Sequence, residues 1–183
     1  MKKIVLTFGL ISGVVIAALM TVLLVFAERI GFDKAVIVGY TVIIIAFMLV
    51  FFGIRSYREN VGNGSVSFGR AFAVGILITL IACVFYVVAW EIIYYKFMPD
   101  FADKYASYEI EKAKAAGATQ QAIDAKVQEM KDMKVMLDNP FLNAAVTFTE
   151  PFPVGLLITL ISAAILRKKP GAAMPDARSA ATP

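Results

Sequence analysis

The sequence predicts an all-α integral membrane protein: four transmembrane helices with an extramembrane helical hairpin between helices three and four. Three observations carry this. The 183 residues are 60% hydrophobic and 17% charged, with a mean hydropathy of +0.75, whereas a soluble domain is about half apolar and a quarter charged. Four apolar stretches each reach the ~20 residues that a helix needs to cross the hydrocarbon core. Between Pro99 and Pro140 the composition turns to Ala, Lys, Glu and Asp, a polar helix-forming mixture.

The first span, residues 4–26, carries no charge. Lys2 and Lys3 before it and the Val25-Phe26-Ala27 triplet imitate a signal peptide. Its apolar run exceeds the roughly 7–15 residues of a signal core, so an uncleaved helix is expected. Cleavage would leave the rest of the topology unchanged. Residues 35–54 form span two and residues 71–93 span three, with Glu91 only at its far end. Trp90, Tyr94 and Tyr95 mark that end, as an interfacial aromatic belt does.

The hairpin follows as an outer insertion over residues 97–140. Phe97, Phe101, Tyr105 and Tyr108 fall at helical spacing and could continue span three beyond the bilayer. Gly117 breaks that helix, and Thr119 caps a second one striped by Ile123, Val127, Met130 and Leu137. Its alternating charges read as a solvated face, with a partner-binding surface as the alternative. Asp138, Asn139 and Pro140 end the hairpin or cap the next helix.

Span four, residues 141–166, is interrupted by Glu150, Pro151 and Pro153. Proline fits the first turn of a helix, where its missing donor costs nothing. Residues 141–149 are therefore expected as a separate outer piece, with the span proper starting near Pro151 and capped by Thr149 or Glu150. A continuous helix kinked at the prolines is the competing reading. Residues 1–169 make one membrane domain, and residues 170–183, small, polar and proline-punctuated, read as a disordered cytoplasmic tail.

Orientation follows from the basic residues beside short loops. Lys2, Lys3, Arg55, Arg58, Arg70, Arg167, Lys168 and Lys169 belong on one face, the cytoplasm, with both termini. The opposite short loop balances Arg29 and Lys34 against Glu28 and Asp33.

Helices in lipid associate where small residues let backbones approach. Gly9, Gly13 and Ala17 recur at intervals of four in span one. Gly75, Thr79 and Cys83 do so in span three, and Gly155, Thr159 and Ala163 in span four. The last two stripes sit in near-copies, VGILITLI from Val74 and VGLLITLI from Val154. An inverted repeat is the sharper explanation; convergence on a packing pattern is the plainer one and is favoured.

Glu150 is the acid to explain. At 1.5 Å per residue it lies ~24 Å from Leu166, a few ångströms inside the outer boundary of a ~30 Å core. The functional reading has it lining a polar cavity, pairing with Arg29, Lys34 or Lys96, or taking up a proton. The plainer reading, a cap near water, is favoured. Glu91 has the same ambiguity, with Lys96 about one turn further along.

Composition excludes several chemistries. The chain has no histidine and one cysteine, Cys83, so the commonest general base, a zinc cluster and an intrachain disulfide are absent. Gly62-Asn63-Gly64 is a turn signal without a phosphate-loop context. No catalytic residue, cofactor or metal is expected.

The whole chain is similar to the domain of unknown function 4199 family of small bacterial membrane proteins. The resemblance runs from span one to Arg167. It rests on GIRSYREN from Gly53, SVSFGRAFAVGILITL from Ser65, YVVAWEIIYYKFMPDF from Tyr86 and TEPFPVGLLITLISAAILRKK from Thr149. It implies a bacterial inner-membrane protein of four helices with a helical insertion, and brings no activity, cofactor or site residue with it.

The first functional expectation is thus a non-catalytic multi-pass protein, embedded in the bilayer, that packs with itself or a membrane-protein partner through small-residue faces and the outer hairpin. The alternative is a small transporter or channel subunit with Glu150, and Glu91 as a second polar group, in a polar cavity. A lipid-acting enzyme with Arg55, Arg58 and Arg70 on head groups is the weakest. Topology already explains those arginines, which also argues against nucleic acid as a partner.

Overall fold

The computed structural model describes residues 1–168, apart from the side chains of Ala27 and Glu28. Lys169 and the tail 170–183 lie outside the described residues. Seven α-helices follow one another: α1 (Lys2–Ile30), α2 (Phe32–Asn60), α3 (Phe68–Ile92), α4 (Phe101–Ala115), α5 (Gln120–Asp138), α6 (Pro140–Phe148) and α7 (Pro151–Leu166), with a π-helical turn, Ile93–Phe97, after α3. Four helical stretches are long and apolar enough to cross a membrane: Lys2–Phe26, Phe32–Asn60, Phe68–Phe97 and Pro140–Leu166, the last combining α6 and α7. Large apolar side chains such as Val25, Ile37, Val84 and Ile165 point outward from all four with more than half their surface exposed. Water would not tolerate that much apolar surface; lipid does.

Inside, α3 packs on α1, α2 and α7, and α2 packs on α1 and α7. The two middle helices thus meet between the first and the last. Phe47, Val50, Ile54, Ile78 and Ala82 make the fully buried centre.

Small residues set these contacts. A Cβ added at Gly9 would lie 2.8 Å from Ile81, and one at Gly13 2.6 Å from Phe85, so α1 sits close on α3. Gly75 faces Thr159 and Gly155 faces Thr79, at 2.8 and 2.5 Å by the same measure. The two near-copies therefore meet, antiparallel and reciprocally, each glycine receiving the other helix's threonine. Close packing accounts for the repeated motif, because each copy needs the same small-then-hydroxyl spacing to receive its mirror partner.

The basic end of the bundle is tied by backbone. Val66 and Lys168 exchange N–H···O bonds of 3.0 and 2.9 Å, clamping the α2–α3 loop to the end of α7. Gly64, at φ +81°, gives that loop its turn. Ser67 caps α3 by accepting from the Arg70 N–H.

The hairpin end differs from expectation in one respect. Span three does not continue through Phe97 to Tyr108. The chain turns at Met98–Asp100, and α4 starts afresh at Phe101. Pro99 has no N–H and disfavours helix at the residue before it. Phe97 is left 74% exposed, while the Phe101 ring returns to pack edge-on against Trp90 at 5.1 Å. Gly117, at φ +72°, separates α4 from α5, and the Thr119 hydroxyl accepts from the Ala122 N–H as the cap of α5. Asp103 near the start of α4 bonds Lys134 near the end of α5, so the two helices run antiparallel.

Candidate functional site

At the hairpin end the helices leave a cavity of about 380 Å³. Met20, Leu23 and Leu24 of α1 and Val36, Gly39, Tyr40 and Ile43 of α2 form one wall. Tyr86 and Trp90 of α3 and Val146 and Thr147 of α6 also line the cavity. Phe101 and Tyr105 of α4, with Met133 and Leu137 of α5, complete it. The hairpin is held there by aromatic contacts. Phe32, at the start of α2, meets Phe101, Tyr105 and Tyr108 with ring centroids 6.2, 5.6 and 5.1 Å away. Lys112 adds an ion pair to Asp33.

Among the described residues Glu150 carries the only carboxylate on this lining. Its Oε2 accepts a 2.7 Å hydrogen bond from the Tyr86 hydroxyl, and Tyr86 itself is buried. Oε1 takes no hydrogen bond from any described residue. Tyr86 lies one turn before Trp90, so the pair sits about 6 Å further along the helix axis than the aromatic belt.

The side chain of Glu150 does not cap α7, although the residue stands just before it. Thr149 does not cap it either; its hydroxyl donates back to the Val146 carbonyl at 2.6 Å. The reason is in the prolines. Helices normally start with four unsatisfied N–H groups. Pro151 and Pro153 remove two of them, so the Glu150 carboxylate is free to bond Tyr86 instead, and Glu150 itself stays exposed at the rim of the cavity. The backbone of Thr149 and Glu150 stays in the helical region, so α6 and α7 are two helices joined by a bend rather than by a loop.

None of the basic partners expected for Glu150 reaches it: Arg29, Lys34 and Lys96 form no ion pair with it among the described residues. Glu91 makes no ion pair with Lys96 there either, and its Oε1 is buried without a hydrogen-bond partner. The two acids are not brought together; Glu91 does not line the cavity.

Behind Glu150 lies a polar knot that sequence reasoning missed. Asn143 is fully buried. Its Oδ1 accepts from Trp90 Nε1 at 2.8 Å and from Thr147 Oγ1 at 3.1 Å, and its Nδ2 donates to the Leu137 carbonyl at 3.0 Å. Tyr95 donates to the same carbonyl at 2.7 Å. One amide thus fastens α3, α5 and α6 together. An asparagine facing an apolar stretch was the available signal.

The small-residue positions Gly9, Gly13, Gly75, Thr79, Gly155 and Thr159 all contact neighbouring helices of the same chain. Arg55, Arg58, Arg70, Arg167 and Lys168 gather at the opposite end, where Glu59 accepts from Arg55 at 2.9 Å and Arg58 at 3.4 Å. No group of three or more metal-ligating acids or thiols occurs among the described residues.

A family model described as Protein of unknown function (DUF4199) matches residues 7–168. The chain belongs to that family. No curated protein and no solved structure matches it. The DUF4199 match takes in most of the first apolar helix, the other three, the hairpin, and both Tyr86 and Glu150.

Proposed function

We propose that this DUF4199 protein is a non-catalytic membrane protein that binds a small molecule in the hairpin-end cavity, as a carrier or a transporter subunit would. One observation carries the reading. Glu150 has one oxygen fixed by Tyr86 at 2.7 Å and the other unclaimed, on the lining of a cavity of about 380 Å³. Ligand sites are concave and mostly apolar, with few placed polar groups, and span about 300–1,000 Å³. A carboxylate within a spanning segment is costly and marks a functional position by default.

Gly9, Gly13, Gly75 and Gly155 are occupied within the chain. Self-association through small-residue faces draws no support from these glycines. Partner binding by the hairpin keeps one supporting observation, the outward Val135 at 69% and Met136 at 42% exposure. The basic-end residues support placing both termini in the cytoplasm of a bacterial inner membrane. On that placement the cavity faces outward.

Native mass spectrometry of the purified protein tests the proposal. The wild type is expected to retain a small-molecule adduct that Gly39→Phe, which fills the cavity, loses. A wild type without adduct, in mild detergent and from native membrane alike, would rule it out.

A further inference from the structure

Resting on that reading of the cavity, we propose that its ligand is a small organic cation, an amine or quaternary ammonium on an apolar body, with Glu150 as its counter-ion. The charge pattern is the first argument. Among the described residues Glu150 is the sole charged one on the lining. An anionic ligand would meet an unopposed carboxylate, and like charges repel. A cation would meet the one group that needs neutralising.

The aromatic pattern is the second. Phe32, Tyr40, Tyr86, Trp90, Phe101 and Tyr105 all line the cavity. Ring faces carry negative quadrupole potential and attract ammonium groups, the basis of choline-type recognition. The hydroxyl of Tyr86 points its proton at Glu150 Oε2, which keeps that oxygen in place and leaves Oε1 for the guest. The donor set does not suit a bare metal ion. Calcium takes 6–8 oxygen ligands, and magnesium takes six in strict octahedral geometry. One carboxylate among rings cannot supply them.

Trp90 is the only tryptophan in the chain and lines the cavity, so its fluorescence reports occupancy directly. Phenyltrimethylammonium and its neutral carbon isostere, tert-butylbenzene, have the same shape and differ in charge. The full-length protein in detergent is titrated with each. Saturable quenching by the cation is expected, weakening about tenfold or more in Glu150→Gln. Glutamine can still accept from Tyr86, and an unchanged thermal unfolding curve would show that the fold is kept. Should Glu150→Gln not stay folded, Tyr40→Leu and Tyr105→Leu serve instead, each expected to weaken the cation several-fold and the isostere little. Equal binding of both probes to wild type and variants would overturn the cation assignment while leaving the cavity reading standing. Binding of neither probe would overturn the assignment as well, and an adduct-free wild type in the preceding experiment would remove both.

Discussion

Thr79 on α3 and Thr159 on α7 share a hydroxyl–hydroxyl hydrogen bond of 3.0 Å in the dry centre of the bundle. Each threonine also covers the other helix's glycine, so the bond and the close approach reinforce one another. Interhelical bonds of this kind average ~0.6 kcal/mol in membrane proteins and reach ~1.7. A double-mutant cycle with Thr79→Val and Thr159→Val, read by unfolding in mixed micelles, should return a coupling of that size. Strict additivity would mean the hydroxyls contribute nothing jointly.

The glycines are steric requirements. Gly155→Val would drive its side chain against Thr79 and Phe47, whose atoms already lie 2.5 and 2.8 Å from an added Cβ. Overpacking of this kind costs about 1–3 kcal/mol. Gly69, in α3 with nothing within 4 Å, is the internal control; Gly69→Ala should leave stability unchanged or raise it by up to about 1 kcal/mol. Comparable losses at both positions would contradict the close α3–α7 contact.

Asn143 holds three elements by one amide. Asn143→Leu leaves Trp90 Nε1, Thr147 Oγ1 and the Leu137 carbonyl without this partner, at about 1–3 kcal/mol for each group that stays buried. The expected signature is local: faster hydrogen exchange in α6 and at the end of α5, with α1 and the basic end unchanged. A uniform loss of protection would show that the knot belongs to the global core.

Aromatic packing should outweigh charge in holding the hairpin. Lys112 and Asp33 are each about half exposed, with side-chain exposures of 50% and 58%, and solvent screening leaves such surface pairs with little net effect on stability. Phe32 touches three rings. Limited proteolysis within residues 101–138 should therefore accelerate in Phe32→Ala and barely change in Lys112→Ala. The reverse order would make the ion pair the latch.

Local chemistry made much of this architecture legible in the sequence. Thr119, Asn139 and Pro140 act within a turn of themselves, and the caps they form follow from residue type. Gly117 needs only its own backbone. The turn at Pro99 was equally local, but helical spacing of the aromatics argued the other way, and the proline won because it withholds a backbone donor. Tertiary partners were a different matter. Glu150 was visible as an anomaly, yet its partner Tyr86 stands 64 positions away. No spacing rule selects one tyrosine among seven. Asn143 drew no notice because a single amide in an apolar run is common, and only packing shows that three elements converge on it.

The Val66–Lys168 clamp bears on how the protein is made. α7 fills the seam between α2 and α3, so a nascent chain that has emitted only its first three crossings leaves Gly75 and Thr79 turned toward acyl chains. Assembly must wait for the last crossing to arrive and for the loop at Val66 to catch it. A released chain truncated after residue 150 should then be open to lipid-phase cross-linkers at position 75, and the released chain of 183 residues closed. The final crossing behaves as a keystone, and its late delivery sets a window in which membrane quality control can still recognise the chain as incomplete.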